Sequence, residues 1–314
     1  MLSIVVVPTP NPAAAEDYPA RPVTLIVPFA PGGSTTIVAR IIADRMAQTL
    51  GAQIIIDNRP GAGGTLGTRQ VAKSAPDGYT LVLGYTGTLA IGPSLFPNVG
   101  YDVRKDFAPI GRIATAPNTL AVHPSFAVRS VPELIAFAKA NPGKVNYGSA
   151  GVGTVGHVGG ELLATRAGIK LTHIPFRGTG PAMTDLLGGH ILMSFAPVPA
   201  VHESARNGLL RLIAVTSLTR SALEPDVPAV AETLPGYEAV LRYGLAAPAG
   251  TPRPIVDRLN KDLNAALTSK EVGERLAIEG AEPLPSTPEE YGADIDREEA
   301  QWSKVVRASG AKPE

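Results

Sequence analysis

A nearly unbroken apolar run, a glycine turn and an amphipathic stretch follow one another early in the chain. Val23 to Phe29 (V-T-L-I-V-P-F) has strand length and little polarity, as expected of a parallel strand covered on both faces. Pro31-Gly32-Gly33-Ser34 interrupts it. Ile37, Val38, Ile41, Ile42, Met46 and Leu50 then recur at helical spacing, with Arg40, Asp44, Arg45 and Gln48 on the opposite face and Gly51 as a stop. Strand, tight turn and helix form half of a βαβ unit. Parallel strands need such crossovers, so the pattern commits the chain to a layered α/β fold.

The unit repeats. Gln53–Asp57 reads as a strand, N-R-P-G-A-G-G-T as a turn and Leu66–Ala75 as a helix; Tyr79–Tyr85 is a third strand, ending at Thr86-Gly87-Thr88. Phe107 to Val122 is extended without a long helix. A second α/β set follows, with strands at 144–150, 171–176, 190–196 and 210–216 and helices at 131–140, 154–167 and 181–187. Val240–Pro248 is extended again. Ile255, Val256, Leu259, Leu263 and Leu267 share one helix face, and Thr287-Pro288-Glu289-Glu290 is a capping box that opens a last helix. The C-terminal helices bring no sheet of their own, so the economical reading returns them to the first lobe. The expected organisation is a leader at 1–17, lobe 1 at 18–118 with 242–314, and lobe 2 at 119–241. Two crossings, near 115–121 and 240–247, flank a cleft.

Several function classes drop out. Lys plus Arg balance Asp plus Glu at 28 each, with no basic run to track a phosphate backbone. Cysteine is absent, which excludes disulfides, thiolate metal sites and cysteine nucleophiles. The five histidines show neither H-x-x-x-H nor H-E-x-x-H, so no metal site is expected. The first residues, M-L-S-I-V-V-V, lead to Ala13-Ala14-Ala15 and then to polar sequence. They resemble the end of a secretory signal peptide without its positive n-region.

The candidate chemistry lies in glycine turns. Gly151, Gly153 and Gly156 give G-x-G-x-x-G between a strand and a helix. A dinucleotide site also needs an acid about 20 residues on, and L-T-H-I-P-F at 171–176 has none. Two readings remain: a packing turn, or an anion site in which free N–H groups at a helix start meet a carboxylate. Ser149 and Thr154 would add hydroxyl donors. Pro31-Gly32-Gly33-Ser34 makes the same offer from the first lobe and lacks the G-K-[ST] ending of a P-loop. Thr86-Gly87-Thr88 would be a third donor cluster. Arg177, between a strand and a helix, can clamp a carboxylate or form a surface salt bridge. His157 either touches a ligand or is a helix histidine of the core or surface. Neither Ser34 nor Ser149 has the G-x-S-x-G of a hydrolase elbow.

The same residues carry a family resemblance. Y-P-A-R-P-V-T-L-I-V-P-F-A-P-G-G-S, D-N-R-P-G-A-G-G-T-L-G, A-P-D-G-Y-T-L, D-F-A-P-I, N-Y-G-S-A-G-V-G-T, T-D-L-L-G-G, A-V-T-S-L-T-R, P-A-V-A-E-T-L-P-G-Y and A-P-A-G-T-P occur in this order from Tyr18 onward. Together they resemble the Bug family, periplasmic solute receptors of tripartite tricarboxylate transporters. The resemblance implies a two-lobed class II periplasmic-binding-protein fold that closes on a small carboxylate, a periplasmic location, membrane transporter components as partners, no cofactor and a monomer. Carried over to this chain, the ligand-binding positions are Phe29, Ala30, Gly32, Gly33, Ser34, Thr35, Thr86 and Thr88 on one lobe, and Ser149, Ala150, Gly151, Gly153 and Thr154 on the other. Arg177 and Ala196 complete the set, and Phe29 and Val198 are expected to form an apolar wall that sets ligand length. Where the family often has Asp, this chain has Thr36 and, after Phe195, Ala196-Pro197. The expected ligand is therefore a mono- or dicarboxylate, aliphatic or aromatic, without an ammonium group. The rival readings are an NAD-dependent or carboxylate-acting enzyme, for which no complete catalytic set is present, and a receptor for a signalling partner.

Overall fold

The computed structural model describes residues 18–309 and 311; the leader and its Ala13-Ala14-Ala15 site lie outside the described residues. The strands are β1 (Val23–Val27), β2 (Ile54–Asn58), β3 (Thr80–Tyr85), β4 (Phe107–Val122), β5 (Val145–Ser149), β6 (Leu171–Pro175), β7 (Met193–Pro197), β8 (Arg211–Val215), β9 (Val240–Pro248) and β10 (Glu282–Pro283). The helices are α1 (Ser34–Leu50), α2 (Thr65–Ala72), α3 (Gly92–Leu95), α4 (Val131–Ala140), α5 (Val155–Ala167), α6 (Thr179–Leu187), α7 (Val198–Arg206), α8 (Arg253–Leu267), α9 (Lys270–Ile278) and α10 (Pro288–Ser309). Gly87–Ile91, just before α3, is wound as a π-helix and is fully buried. The sequence reading takes Thr86-Gly87-Thr88 as a donor cluster at the end of a strand and assigns no helix there. Burial of Leu89, Ala90 and Ile91 keeps the backbone helical instead, because buried N–H and C=O groups need partners.

The strand order is β2-β1-β3-β9-β4-β7-β5-β6, with β8 and β10 both paired to β4. In the first lobe β1 lies parallel between β2 and β3, and β9 runs antiparallel to β3. One face of this sheet packs on α1, α8 and α9 through Val38, Ile42, Met46, Leu259, Leu263 and Leu276. The second lobe pairs β5 parallel to β6 and β7.

β4 belongs to both lobes. Phe107 to Pro117 pairs with β9, and Asn118 to Val122 with β7 and β8. At the changeover the buried Thr216 hydroxyl takes the Asn118 N–H at 2.8 Å and donates to Ala239 O at 2.7 Å. One side chain thus joins the two crossing strands. Thr216→Val keeps the shape and leaves buried backbone groups unpaired, so it should cost roughly 1–3 kcal/mol in a denaturant titration.

The last helix differs from the expectation that all C-terminal helices return to lobe 1. Tyr291 and Ile295 of α10 pack on the first lobe, whereas Trp302 and Val306 enter the core of the second. α10 is therefore a third link between the lobes, and its amphipathic pattern does not say against what its apolar face lies. The lobes also touch directly. A Cβ on Gly63 would stand 2.8 Å from Val152 O, and one on Gly280 would stand 3.4 Å from the Val198 Cβ.

Candidate functional site

On the first lobe, the chain leaves β1 at Pro28 and turns through 29–33 into α1. Asn58 on the neighbouring strand holds this turn: its amide donates to Phe29 O at 2.8 Å and to the Thr36 hydroxyl at 3.0 Å. Thr36 is buried and serves the turn rather than the cleft. Gly33 is the N-cap, with extended backbone (φ −86°) and no side-chain cap. Among the described residues, nothing in the chain accepts from the N–H groups of Ser34 and Thr35, the first donors of a helix start. Burial pushes the pKa of the Tyr243 hydroxyl up to about 12. Phe29 packs edge-on to Tyr85, ring centroids 4.9 Å apart.

Thr86 and Thr88 face inward. The Thr86 hydroxyl accepts the Arg242 N–H at 3.0 Å, and the Thr88 hydroxyl donates to Tyr85 O at 3.2 Å. Both hydroxyls are committed within the first lobe.

On the second lobe, β5 ends at Ser149 and the glycine turn leads into α5. Thr154 is a true N-cap: it accepts from His157 N, and its hydroxyl donates to Gly151 O at 2.7 Å. The Ser149 hydroxyl accepts the Gly151 N–H at 3.1 Å and lies 2.7 Å from His173 Nε2. Gly153 donates its N–H to His157 Nδ1 at 3.3 Å. The hydroxyls that the sequence offers as ligand donors thus shape the turn itself. The backbone N–H groups of Ala150 and Val152 remain without an acceptor among the described residues. Gly151 has φ +131°, and a Cβ there would sit 3.0 Å from Phe176 O; glycine is required.

Beneath this turn the rings of His157 and His173 stack with centroids 4.1 Å apart. Burial lowers the His157 pKa to about 4. Burial, and then the neighbouring His157, lower that of His173 to about 3. Both are neutral near pH 7, which leaves His157 Nδ1 free to accept from Gly153. His157 is thus a core histidine that positions the turn. The pairing was missed in sequence because it joins a helix to the strand after it.

The sequence reading placed a turn at Gly61-Ala62-Gly63-Gly64, before α2, but did not count it as part of the site. A Cβ on Gly64 would lie 3.2 Å from Pro28 O, at the end of β1, and one on Gly63 would press on Val152 O. Tyr85 donates its hydroxyl to Gly63 O at 3.2 Å. This turn brings Pro28 and Val152, and with them the two loops that carry free N–H groups, to one place. Arg177 is exposed one residue beyond Phe176, with no carboxylate paired to it among the described residues. Ala196 is buried in β7 and its carbonyl accepts from the Thr119 hydroxyl at 3.0 Å. Val198, also buried, opens α7. Among the described residues, no group of three His, Asp or Glu side chains is arranged to hold a metal, and no helix is long and apolar enough to cross a membrane.

Known proteins share this architecture. Residues 38–311 match the family described as Tripartite tricarboxylate transporter family receptor. The chain is 42% identical over 303 residues to Protein BugT of Bordetella pertussis, covering 96% of this chain and 93% of that protein. Among solved structures, R. palustris Rpa4515 with adipate is 37% identical with a TM-score of 0.87, covering 94% of this chain and 99% of that one. MatC (Rpa3494) from Rhodopseudomonas palustris with bound malate is 35% identical with a TM-score of 0.84, covering 92% and 100%. The fold is that of two-lobed periplasmic binding proteins, and the role is solute binding rather than catalysis. From Val38 almost to its end, this chain belongs to the tripartite tricarboxylate transporter receptor family, with Bug proteins among its relatives.

Proposed function

We propose that this receptor captures a small organic mono- or dicarboxylate, aliphatic or aromatic, between its lobes in the periplasm and delivers it to the membrane components of a tripartite tricarboxylate transporter. The observation that carries the reading is the pair of unpaired N–H sets, Ser34–Thr35 on one lobe and Ala150 with Val152 on the other. They are drawn together by the contact of Gly63 with Val152. Ala30, Gly32, Gly33, Gly151 and Gly153 let the ligand approach the backbone, Phe29 and Val198 bound its length, and Arg177 is a free cation for a second carboxylate. Neither Thr36 nor Ala196 supplies an acid, so the ligand carries no ammonium group.

The chain has no net charge to draw in an anion, so affinity is local. Hydrogen bonds to a charged group contribute about 1.5–3 kcal/mol each. Four or five of them, less desolvation and ordering, leave about 8 kcal/mol, a micromolar dissociation constant.

Titration calorimetry of small carboxylates tests the site when Ser34→Pro is compared with Ser34→Ala. Proline is well accepted at the first position of a helix, and the extended Gly33 before it is compatible. The proline variant lacks only the N–H. It should melt with Ser34→Ala and bind carboxylates about tenfold more weakly. Equal affinities in the two variants would remove the α1 start from the site. Small-angle scattering should also show the radius of gyration contracting as carboxylate is added.

A further inference from the structure

Phe96 follows the buried π-helix and α3, and its N–H donates to Gly92 O at 2.9 Å. This segment runs from one core to the other. Leu89 belongs to the first-lobe cluster of Ile26, Val71 and Val82, whereas Ile91 and Leu95 join Val155 and Val158 of α5. The ring of Phe96 lies where the two glycine turns meet. A Cβ on Gly153 would stand 3.1 Å from Phe96 Cε2 and 3.4 Å from its Cζ, and one on Gly63 would stand 3.8 and 3.7 Å from the same two atoms. One edge of one ring therefore touches both turns.

Glycine leaves bare backbone at both places, and the ring rests where side chains would otherwise reach. Phe96 is half-buried and, like Val152, packs on the core of the second lobe. Gly63 belongs to the first lobe and Gly153 to the second. Whichever lobe the ring follows, one of its two contacts joins the lobes. That contact is made only while the lobes are together, and breaking it returns apolar surface to water. The ring also abuts the residue after Val152, one of the free N–H donors. It thereby stabilises the arrangement in which both donor sets face one ligand.

Resting on the carboxylate reading above, we propose that Phe96 is a positioning residue for ligand capture, an apolar bearing between the Gly63 and Gly153 turns that holds the lobes closed over the bound acid. The ring retains a ligand rather than speeding its arrival. Encounter takes place with the lobes apart, before the ring touches both turns, whereas release requires that one of the two contacts be broken. Its contribution therefore falls on the dissociation rate.

The test begins with calorimetry of succinate, malate, adipate and benzoate on the wild-type chain, and the tightest binder of the four serves as the probe. Phe96→Ala should bind it about tenfold more weakly. Stopped-flow measurement should place that loss in a faster dissociation, with the association rate within about twofold of the wild-type value. Phe96→Leu keeps apolar bulk and should recover part of the loss, dissociating about threefold faster than the wild-type chain. A ring that only supported the core would lower the melting temperature of the unliganded chain and leave both rates of the folded protein unchanged. Wild-type rates in folded Phe96→Ala, or a loss confined to association, overturn this inference alone. Should Phe96→Ala not fold, Phe96→Leu carries the same test, and an unchanged dissociation rate there overturns the inference. A wild-type chain that binds none of the four acids overturns the carboxylate reading, and the inference with it.

Discussion

Gly63→Asn should fold normally and bind small carboxylates about a hundredfold more weakly than the wild-type chain. Gly63 has φ 60° and ψ 24°, a left-handed conformation that asparagine tolerates better than other side chains. The local backbone cost is therefore small. The Cβ, however, would lie 2.8 Å from Val152 O, closer than such atoms approach. Only two responses are open: the turn distorts, or the lobes part. Tyr85 and the contact with Pro28 hold the turn from below, so the lobes part. A ligand then keeps the donors of one lobe and loses those of the other. Losing two charge-assisted hydrogen bonds of about 1.5 kcal/mol each corresponds to roughly a hundredfold in affinity. Gly143→Asn is the matched control: Gly143 has φ +74° and nothing within 4 Å of a Cβ, so it carries the same backbone cost without the collision. Scattering should show the Gly63 variant failing to contract at ligand concentrations that close the control. Binding by Gly63→Asn equal to that of the control would mean that carboxylate capture does not need this contact.

Acid should destabilise the second lobe well before carboxylates elsewhere titrate. His157 has a folded pKa of about 4, below the unfolded value of about 6.5. The unfolded chain therefore takes up the proton first. The stability that the neutral ring preserves is complete above about pH 6.5 and is lost as the pH falls toward the folded value. Between pH 7 and pH 5 this single side chain, only 5% exposed, accounts for about 2 kcal/mol. His173 acts with the same sign, its pKa lowered further still. For a domain with a total stability of about 5–15 kcal/mol, the pair is a large fraction. The denaturant midpoint at pH 5 should fall clearly below that at pH 7. His157→Phe should start lower, because the Gly153 N–H loses its acceptor, and should then fall less on acidification. Equal midpoints at the two pH values in the wild-type chain would show that the stacked rings are not held neutral by burial.

The parts of this molecule that were legible in sequence are those where one local rule decides. The apolar run of β1 and the glycines at 32–33 lead into an amphipathic α1 because a parallel strand buried on both faces cannot be written in any other residues. Gly151 and Gly153 announce a turn because their positive φ values exclude other residues. What was not legible is how donors and acceptors pair across the chain. Ser149, Thr154, Thr86 and Thr88 have the chemistry of ligand donors, yet each hydroxyl is engaged by groups of its own lobe. The backbone amides of Ala150 and Val152, which no side-chain identity reveals, are the ones left over. His157 and His173 meet only because α5 returns the chain to β6 beside β5. Gly280 meets Val198 of the second lobe at the end of α9, whose own pattern describes a surface helix.

The strap formed by α10 bears on how this receptor can be observed. Rotation about β4 and β9 alone would leave a helix anchored at both ends under tension, so one end has to slide or lift when the lobes separate. The end on the second lobe holds Trp302, the sole tryptophan of the chain, fully enclosed and with no acceptor for its indole N–H among the described residues. Intrinsic fluorescence is thereby a native gauge of whether that anchor is seated, readable without attaching any dye.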